Sequence, residues 1–450
     1  MRVAIAGAGF AGMQAAKGLA GAAVEVVVFD RQNHQSFQPL LYQVATAALT
    51  PADIAWPIRS MLRGQDNAQV YMAEVTGVDL AGRRLLTAGG AFEYDLLVLA
   101  TGAAHAYFGH DEWAPYAPGL KRIEDATDIR RRLLLAFERA ELAEDEAERR
   151  ALTTFVVVGG GPTGVEMAGA ISDMARQALP PDFRRVNPEK ARVVLVEAGP
   201  RILSTFPETL SRYAEDALRR RGVEVLTGTP VTAIDAEGVA LGERRIAAGA
   251  VVWAAGVAAS AAADWLDARR DRAGRVCVDA DLTVPGHPEV FVIGDTAHVA
   301  GEEGRPVPGI APAAKQMGAY VAQVITARAR GEAPPPPFRY RHQGDLATVG
   351  RNAAIVSLGK AKVTGFPGWV LWSVVHVYFL IGVRNRIAVA FSWLWEYLTF
   401  RRRARLITEP ATASQLAAGL CAAPPPARPP MAAHPAAGRM DGEARLPAGG

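Results

Sequence analysis

The chain opens on an unbroken apolar run. Val3 to Ala6 reads as a short buried strand, Gly7 begins a glycine-rich turn, and a helix is expected through Met13 to Leu19. Val24 to Phe29 is a second strand, rich in β-branched residues, as a parallel strand covered on both faces requires. The same order returns later, with Phe155 to Val158 as strand, Gly159 to Gly164 as turn, Val165 to Ala178 as helix and Val193 to Val196 as strand. This is one internal repeat of a βαβ unit, not a short-period solenoid. Leu96 to Leu99, Val251 to Trp253 and Val290 to Ile293 are further strand-like runs, and Asp125 to Arg150 is charged and helix-favouring. Pro334 to Pro337 marks a stiff connector. From Trp369 to Phe400 aromatic and aliphatic residues crowd together. From Ala411 onward Ala, Pro and Gly predominate; so few large apolar side chains cannot offset ordering entropy, and the tail is expected to be disordered.

At 450 residues, two or three domains are expected, and 50% hydrophobic with 21% charged residues suits large cores. The net charge of +3 is small, and no basic motif with stacking aromatics accompanies it, so nucleic acid is not an expected partner. Cys277 and Cys421 lie far apart and outside any CxxC or zinc-like spacing. Neither a disulfide framework, a metal site nor a redox dithiol is expected, which fits a reducing compartment. The opening residues have no charged segment leading into a long apolar core, so no secretory signal is expected.

The two turns carry the chemistry. Gly7-Ala8-Gly9-Phe10-Ala11-Gly12 is a GxGxxG between strand and helix. Gly7 permits the tight turn, Gly9 lets backbone N–H groups reach a pyrophosphate, and Gly12 lets the helix lie close to the strand. The positive helix end then faces the phosphates. Asp30 closes the second strand, where a carboxylate can accept the ribose hydroxyls of an adenosine. In the second turn Gly159, Gly161 and Gly164 take the motif places and Glu197 ends the following strand. Glu197 lies farther on than the usual ~20 residues, and Pro180, Pro181 and Pro188 in the gap indicate an inserted loop. An acid here favours NADH over NADPH by repelling a 2′-phosphate, a preference that nearby Arg201 softens. Two loops imply one FAD and one NAD(P)H; the motif does not decide which loop takes which.

With both loops placed, the chain resembles the two-dinucleotide-binding-domain flavoproteins. Ala100-Thr101-Gly102 is similar to their ATG turn, and Ile293-Gly294-Asp295 to their late GD motif, whose Asp bonds the ribityl chain of FAD. Within that group the chain resembles type II NADH:quinone oxidoreductases. The run Asn33 to Ala45 is similar to their flavin-side segment, and Gly161-Pro162-Thr163-Gly164-Val165-Glu166 and Trp253-Ala254-Ala255-Gly256-Val257 to their NADH-domain signatures. Pro308 to Gly318 is similar to their flavin and quinone helix, and Gly365 to Ile407 to their membrane-anchoring tail. One departure is that their AQxAxQ box here has Pro312 for the first Gln and keeps Gln316. A proline has no side-chain amide, but it suits a first helical turn.

The resemblance implies an α/β fold of two Rossmann-like domains with a C-terminal helical anchor. The FAD-binding domain would span 1–115 and 276–335, the NADH-binding domain 116–275, the anchor region 336–408 and the disordered tail 409–450. FAD would be held by Gly7, Gly9, Phe10, Ala11, Gly12, Asp30, Arg31, Gln38, Pro39, Gln43, Ala100, Thr101, Gly102, Gly294 and Asp295. NADH would be held by Gly159, Gly161, Pro162, Thr163, Gly164, Glu197, Ala255 and Gly256. Glu166, Gln316 and Lys315 would serve catalysis: Glu166 by orienting nicotinamide or handling protons, Gln316 at the flavin–quinone end, Lys315 by stabilising reduced flavin. Helix capping, a satisfied amide and a solvent-facing lysine are their plainer roles, and His376 reads as a packing or interface residue. The reaction implied is hydride transfer from NADH to FAD, then two-electron reduction of a quinone, without proton pumping. Disulfide reductases and sulfide:quinone oxidoreductases need cysteines that the flavin segments here lack.

Trp369 to Val383 and Ile387 to Phe400 are apolar runs, each shorter than the ~20 residues that span a bilayer. Their tryptophans and tyrosines suit the headgroup region, and Arg401-Arg402-Arg403-Ala404-Arg405 would attract anionic lipid. A monotopic anchor on the cytoplasmic face of an inner membrane is therefore expected, with room for a homodimer. The rivals are a soluble NADH oxidase or ferredoxin reductase, and a non-catalytic FAD/NADH redox sensor.

Overall fold

In the computed structural model, which describes residues 1–301, 304–399, 402 and 404–407, the expected repeat is built twice. β1 (Arg2–Ala6) turns into α1 (Phe10–Gly18), and β2 (Glu25–Asp30) returns beside β1; α2 (Leu41–Ala45), β3 (Ala68–Met72) and β4 (Leu96–Leu99) follow. α3 (Ile123–Leu142) leads into the second unit, made of β5 (Thr154–Val158), α4 (Pro162–Asp173), β6 (Arg192–Val196), β7 (Val223–Leu226) and β8 (Ala250–Trp253). The chain then returns through β9 (Thr283–Val284), β10 (His287–Val292) and α5 (Ala311–Arg330) to the first unit. It closes with β11 (Asp345–Gly350), β12 (Ala353–Leu358), β13 (Ala361–Thr364), α6 (Gly365–Phe379) and α7 (Val383–Thr399).

The first sheet has the order β9-β10-β4-β1-β2-β3, parallel except for β9; the second has the order β7-β6-β5-β8, parallel throughout. Central strands match register for register: Ile5 lies between Val28 and Val98, and Val157 between Leu195 and Val252. Their side chains are buried on both faces, which is why the runs carry no polar alternation.

α1 and α5 cross in backbone contact. A Cβ on Gly318 would overlap the Ala11 carbonyl oxygen, and one on Gly18 would come within 2.6 Å of the Ala322 Cβ. Small residues at the crossing therefore let the start of α5 sit against the first glycine turn.

Several expectations need correction. The helix-favouring stretch Asp125 to Arg150 holds two helices: α3 ends at Leu142, and Asp145 caps a second helix, Glu146–Leu152, by accepting from the Glu148 N–H at 2.8 Å. The boundary expected at 275/276 falls too late. Val257–Ala259 already pairs with Ala103–His105, and Ala262, Ala263 and Leu266 are buried in the first unit's core, because that short apolar helix face finds cover only there. The region 336–408 is not all anchor. β11–β13 form an antiparallel sheet packed on α4, and Ala347, Val349 and Ile355 join the second unit's core. Arg401, Arg403 and the tail expected to be disordered lie outside the described residues.

Gly318→Val is expected to destabilise the protein by about 1–3 kcal/mol through overpacking at the α1–α5 crossing. Thermal melting checks this; an unchanged Tm would mean that the two helices are free to separate.

Candidate active site

The two turns share one local geometry. Gly7 and Gly159 take φ of +100° and +110°, open to glycine and strained for other residues. A Cβ on Gly12 would overlap the Gly7 carbonyl oxygen, and one on Gly164 that of Gly159, so each helix starts against its own turn. Gly9 and Gly161 are the N-caps of α1 and α4, and neither helix has a side-chain cap. A Cβ on either would meet nothing within 4 Å. Each turn thus presents uncapped N–H groups and the positive end of a helix dipole to open space, a cradle that fits a pyrophosphate.

The carboxylates repeat the symmetry. Asp30 accepts from the Ala8 N–H at 2.7 Å and the Gln32 N–H at 2.8 Å, one bond per oxygen. Glu197 accepts from the Gly160 and Gly199 N–H groups, each at 2.6 Å. A carboxylate has about four lone-pair sites, so each keeps two for ribose hydroxyls while bracing its glycine turn. Arg201 donates to the carbonyls of Ser204 at 2.7 Å and Phe206 at 3.0 Å, so its guanidinium is held by its own loop. The softening expected from it is not built into this geometry.

Between the turns lies an open cleft. Phe10 from α1, Gln38, Pro39 and Tyr42 line one side; Thr163 and Glu166 from α4, with Leu120 and Lys121, line another. Asp295 and the α5 start, Gly309, Ile310, Ala311 and Ala314, close it. Lys121 Nζ stands 3.5 Å from an Asp295 oxygen. The Thr101 hydroxyl is 2.5 Å from that of Ser260, and Thr296 donates to the Gly102 carbonyl at 3.2 Å, which ties the Ala100–Gly102 turn to the return segment. Gly294 N–H points at the Met317 sulfur, 3.2 Å away. Arg31 pairs with Glu74 at 3.8 Å. Ala255 and Gly256 lie just past the end of β8, beside the second turn, with the Phe108 ring against Gly256.

Tyr42, Leu120 and Lys121 are cleft residues that the motif reading did not single out. Tyr42 sits inside the quoted Asn33–Ala45 run, a signal that was available. Leu120 and Lys121 belong to no motif.

Glu166 is half-buried in the cleft wall, and one oxygen receives the Thr348 N–H of β11 at 3.3 Å. Its bond runs to β11, not to the uncapped first turn of α4. Burial pushes its carboxyl up to about 8, the Thr348 bond opposing only in part. Lys315 lies outside the cleft, with Nζ 5.4 Å from the Phe10 ring centroid and 4.7 Å from that of Phe379. Burial, then Lys17 and Arg386, lowers its ammonium pKa. The Gln316 amide both donates to and accepts from the Arg341 backbone, each at 2.9 Å, and so pins the connector to α5. His376 is bonded through Nδ1 to the Trp372 carbonyl at 2.7 Å and stacked on the Trp372 ring at 4.0 Å; burial pushes its pKa down to about 4.

Residues 1–318 match the family model described as pyridine nucleotide-disulphide oxidoreductase, and residues 342–402 match that of the NDH2 C-terminal domain. The chain is 43% identical over 423 residues to the type II NADH:quinone oxidoreductase Ndh of Mycobacterium tuberculosis, covering 91% of this chain and 90% of that one. The chain belongs to the type II NADH:quinone oxidoreductase family. It is also 31% identical over 445 residues to the mitochondrial internal alternative NAD(P)H-ubiquinone oxidoreductase A1 of Arabidopsis thaliana, covering 90% and 86% of the two chains. NDH2 from Plasmodium falciparum, solved in complex with NADH, shares the fold with a TM-score of 0.82 over 90% of this chain and 99% of that one, at 19% identity. As a type II NADH:quinone oxidoreductase the protein is a flavoenzyme that uses FAD to pass electrons from NADH to quinone.

The folded-state value of Glu166 lies above the ordinary 4.5. Between that value and about 8 the folded chain holds a proton that the unfolded chain has released, so this group makes stability fall as pH rises through the window. Glu166→Gln, neutral throughout, is expected to lose this slope. Thermal melts of both proteins from pH 5 to pH 8 should show the variant gaining on the parent; parallel curves would contradict the assignment.

Proposed function

We propose that the first glycine turn, with Asp30 and Asp295, holds FAD, that the second, with Glu197, holds NADH, and that the cleft between them is where NADH and a membrane quinone react. The observation that carries this reading is the meeting of α1, α4 and the start of α5 in one cleft. Bound FAD supplies the two-electron redox chemistry there. The overall change, NADH + H⁺ + quinone to NAD⁺ + quinol, draws one proton from outside the nicotinamide. Glu166, protonated at neutral pH by its burial, can hold that proton beside the substrates. Phe10, Pro39, Leu120 and Ile310 supply apolar wall among the polar side chains of the cleft.

The membrane reading rests on two helical stripes. On α6, Phe366, Val370, Val374 and Tyr378 recur every four residues and are exposed; on α7, Val383, Ile387, Phe391, Leu394 and Leu398 recur every three or four residues and are exposed too. The opposite faces bury Trp372 and Val389 in the core. Among the described residues no helix is long and apolar enough to cross a membrane. At about 1.5–3 kcal/mol per fully buried large apolar side chain, such a surface supports attachment in the interface plane. Attachment to the cytoplasmic face of an inner membrane, where NADH is available, is the reading that fits.

The basic cluster does less for this than expected. Arg402 is buried, paired with Glu396 at 2.7 Å and donating to the carbonyls of Thr46 at 2.8 Å and Ala170 at 3.2 Å. Arg405 pairs with Asp182. Both guanidiniums satisfy carbonyls and carboxylates of the protein and so do not face lipid.

Point substitutions on the stripe test the anchor without removing core residues such as Trp372. Ile387→Glu with Phe391→Glu is expected to abolish flotation with lipid vesicles while leaving the Tm unchanged. Turnover should fall with a long-chain quinone embedded in vesicles and persist with a short-chain, water-soluble quinone. A double variant that still floats would contradict the anchor.

A further inference from the structure

One hydrogen-bond chain runs from the outward-facing helix α7 to the cleft. The Trp393 indole N–H donates to Gln43 Oε1 at 2.7 Å, and Gln43 Nε2 donates to the Tyr42 hydroxyl oxygen at 2.9 Å. An indole N–H can only donate, so it fixes which end of the Gln43 amide is oxygen; the flipped amide would set two donors against each other. The Gln43 NH₂ must then face Tyr42, and the Tyr42 oxygen is an acceptor in this bond. Its own proton is left pointing elsewhere, and among the described residues no hydrogen bond from the Tyr42 hydroxyl to a protein acceptor is formed. The Tyr42 side chain is buried and lines the same cleft as Phe10, Thr163 and Glu166. Arg402 steadies the register, since it pairs with Glu396 of α7 and also binds the Thr46 carbonyl at the end of α2.

We infer that Trp393 is a positioning residue that sets the hydrogen-bond polarity of Tyr42, and that Tyr42 donates to a carbonyl or carboxamide oxygen of a substrate in the cleft. This rests on the reading that NADH and quinone meet there. The ligand chemistry is a neutral sp² oxygen, which the nicotinamide carboxamide and the quinone carbonyl share. Burial first, and then the nearby Glu166, pushes the phenol well above its ordinary value, so Tyr42 stays a neutral donor across the working range. The arrangement links the face read as the lipid-binding surface to the reaction site. Movement of α7 that breaks the indole bond frees the amide to turn and the phenol to donate to Gln43 instead.

The test uses the FAD-loaded, full-length protein as parent, Tyr42→Phe, Trp393→Phe and the double variant. Anaerobic stopped-flow reads flavin reduction by NADH and reoxidation by a short-chain quinone separately, and equilibrium titration with NAD⁺ reads carboxamide binding without turnover. Tyr42→Phe is expected to weaken one of the two half-reactions by roughly tenfold, the scale of one hydrogen bond. A loss in the NADH arm with weaker NAD⁺ binding identifies the carboxamide; a loss in the quinone arm alone identifies the quinone carbonyl. Trp393→Phe should weaken the same arm, and the double variant should be no worse than Tyr42→Phe, because the residues act as one unit. Gln43→Glu, whose carboxylate would accept from both neighbours and capture the phenol proton, should mimic Tyr42→Phe. Unchanged half-reactions in Tyr42→Phe, or losses that add in full in the double variant, would overturn the proposal. A parent reduced by NADH but never reoxidised by quinone would instead overturn the functional reading beneath it.

Discussion

Backbone contact between α1 and α5 is the constraint on which the cleft depends. α1 follows the first glycine turn, while α5 arrives only after the chain has built the whole second unit. Gly318 against Ala11 and Gly18 against Ala322 let these distant segments approach without intervening side chains. That closeness puts Ile310, Ala311 and Ala314 beside Phe10 and sets Asp295 at the cleft edge. Bulkier residues at the crossing would push the α5 start away from the turn, and the cleft would lose one of its walls.

Each dinucleotide turn is braced electrostatically by the acid that its ligand would use. Asp30 and Glu197 accept two backbone N–H groups apiece while their remaining lone pairs stay available. The proposed preference for a ribose hydroxyl over a 2′-phosphate rests on those free lone pairs. Glu166 is handled in the opposite way. Its carboxyl is desolvated and has a single backbone donor, so its environment favours the protonated form, whereas Asp30 and Glu197 each accept two amides. Similar carboxylates thus stand in different surroundings, which suits them to the different roles proposed for them.

What could be read in the sequence was whatever contiguous residues encode. The two strand–turn–helix units, the closing acids and the apolar character of the C-terminal helices all follow from short windows with a strong period. What escaped was set by partners far along the chain. Gln316 is answered by Arg341 and Glu166 by Thr348, and no local signal names either partner. The β11–β13 sheet was hidden because its strands are short and one face borrows α4 for cover. Arg402 and Arg405 look like a lipid-binding cluster in sequence, but carbonyls of α2 and α4, Glu396 and Asp182 claim them. The boundary near residue 257 escaped because strand pairing, not composition, decides where the chain returns.

The proposed reaction requires two similar turns to hold two different dinucleotides, FAD at the first and NADH at the second. The most direct measurement is the FAD-to-protein ratio and the NADH affinity of two matched variants, Gly9→Val and Gly161→Val, each placing a side chain in the open space of one cradle. Gly9→Val is expected to be purified with little FAD. Gly161→Val should keep its FAD and lose NADH affinity. Loss of FAD from Gly161→Val with full retention by Gly9→Val would contradict it.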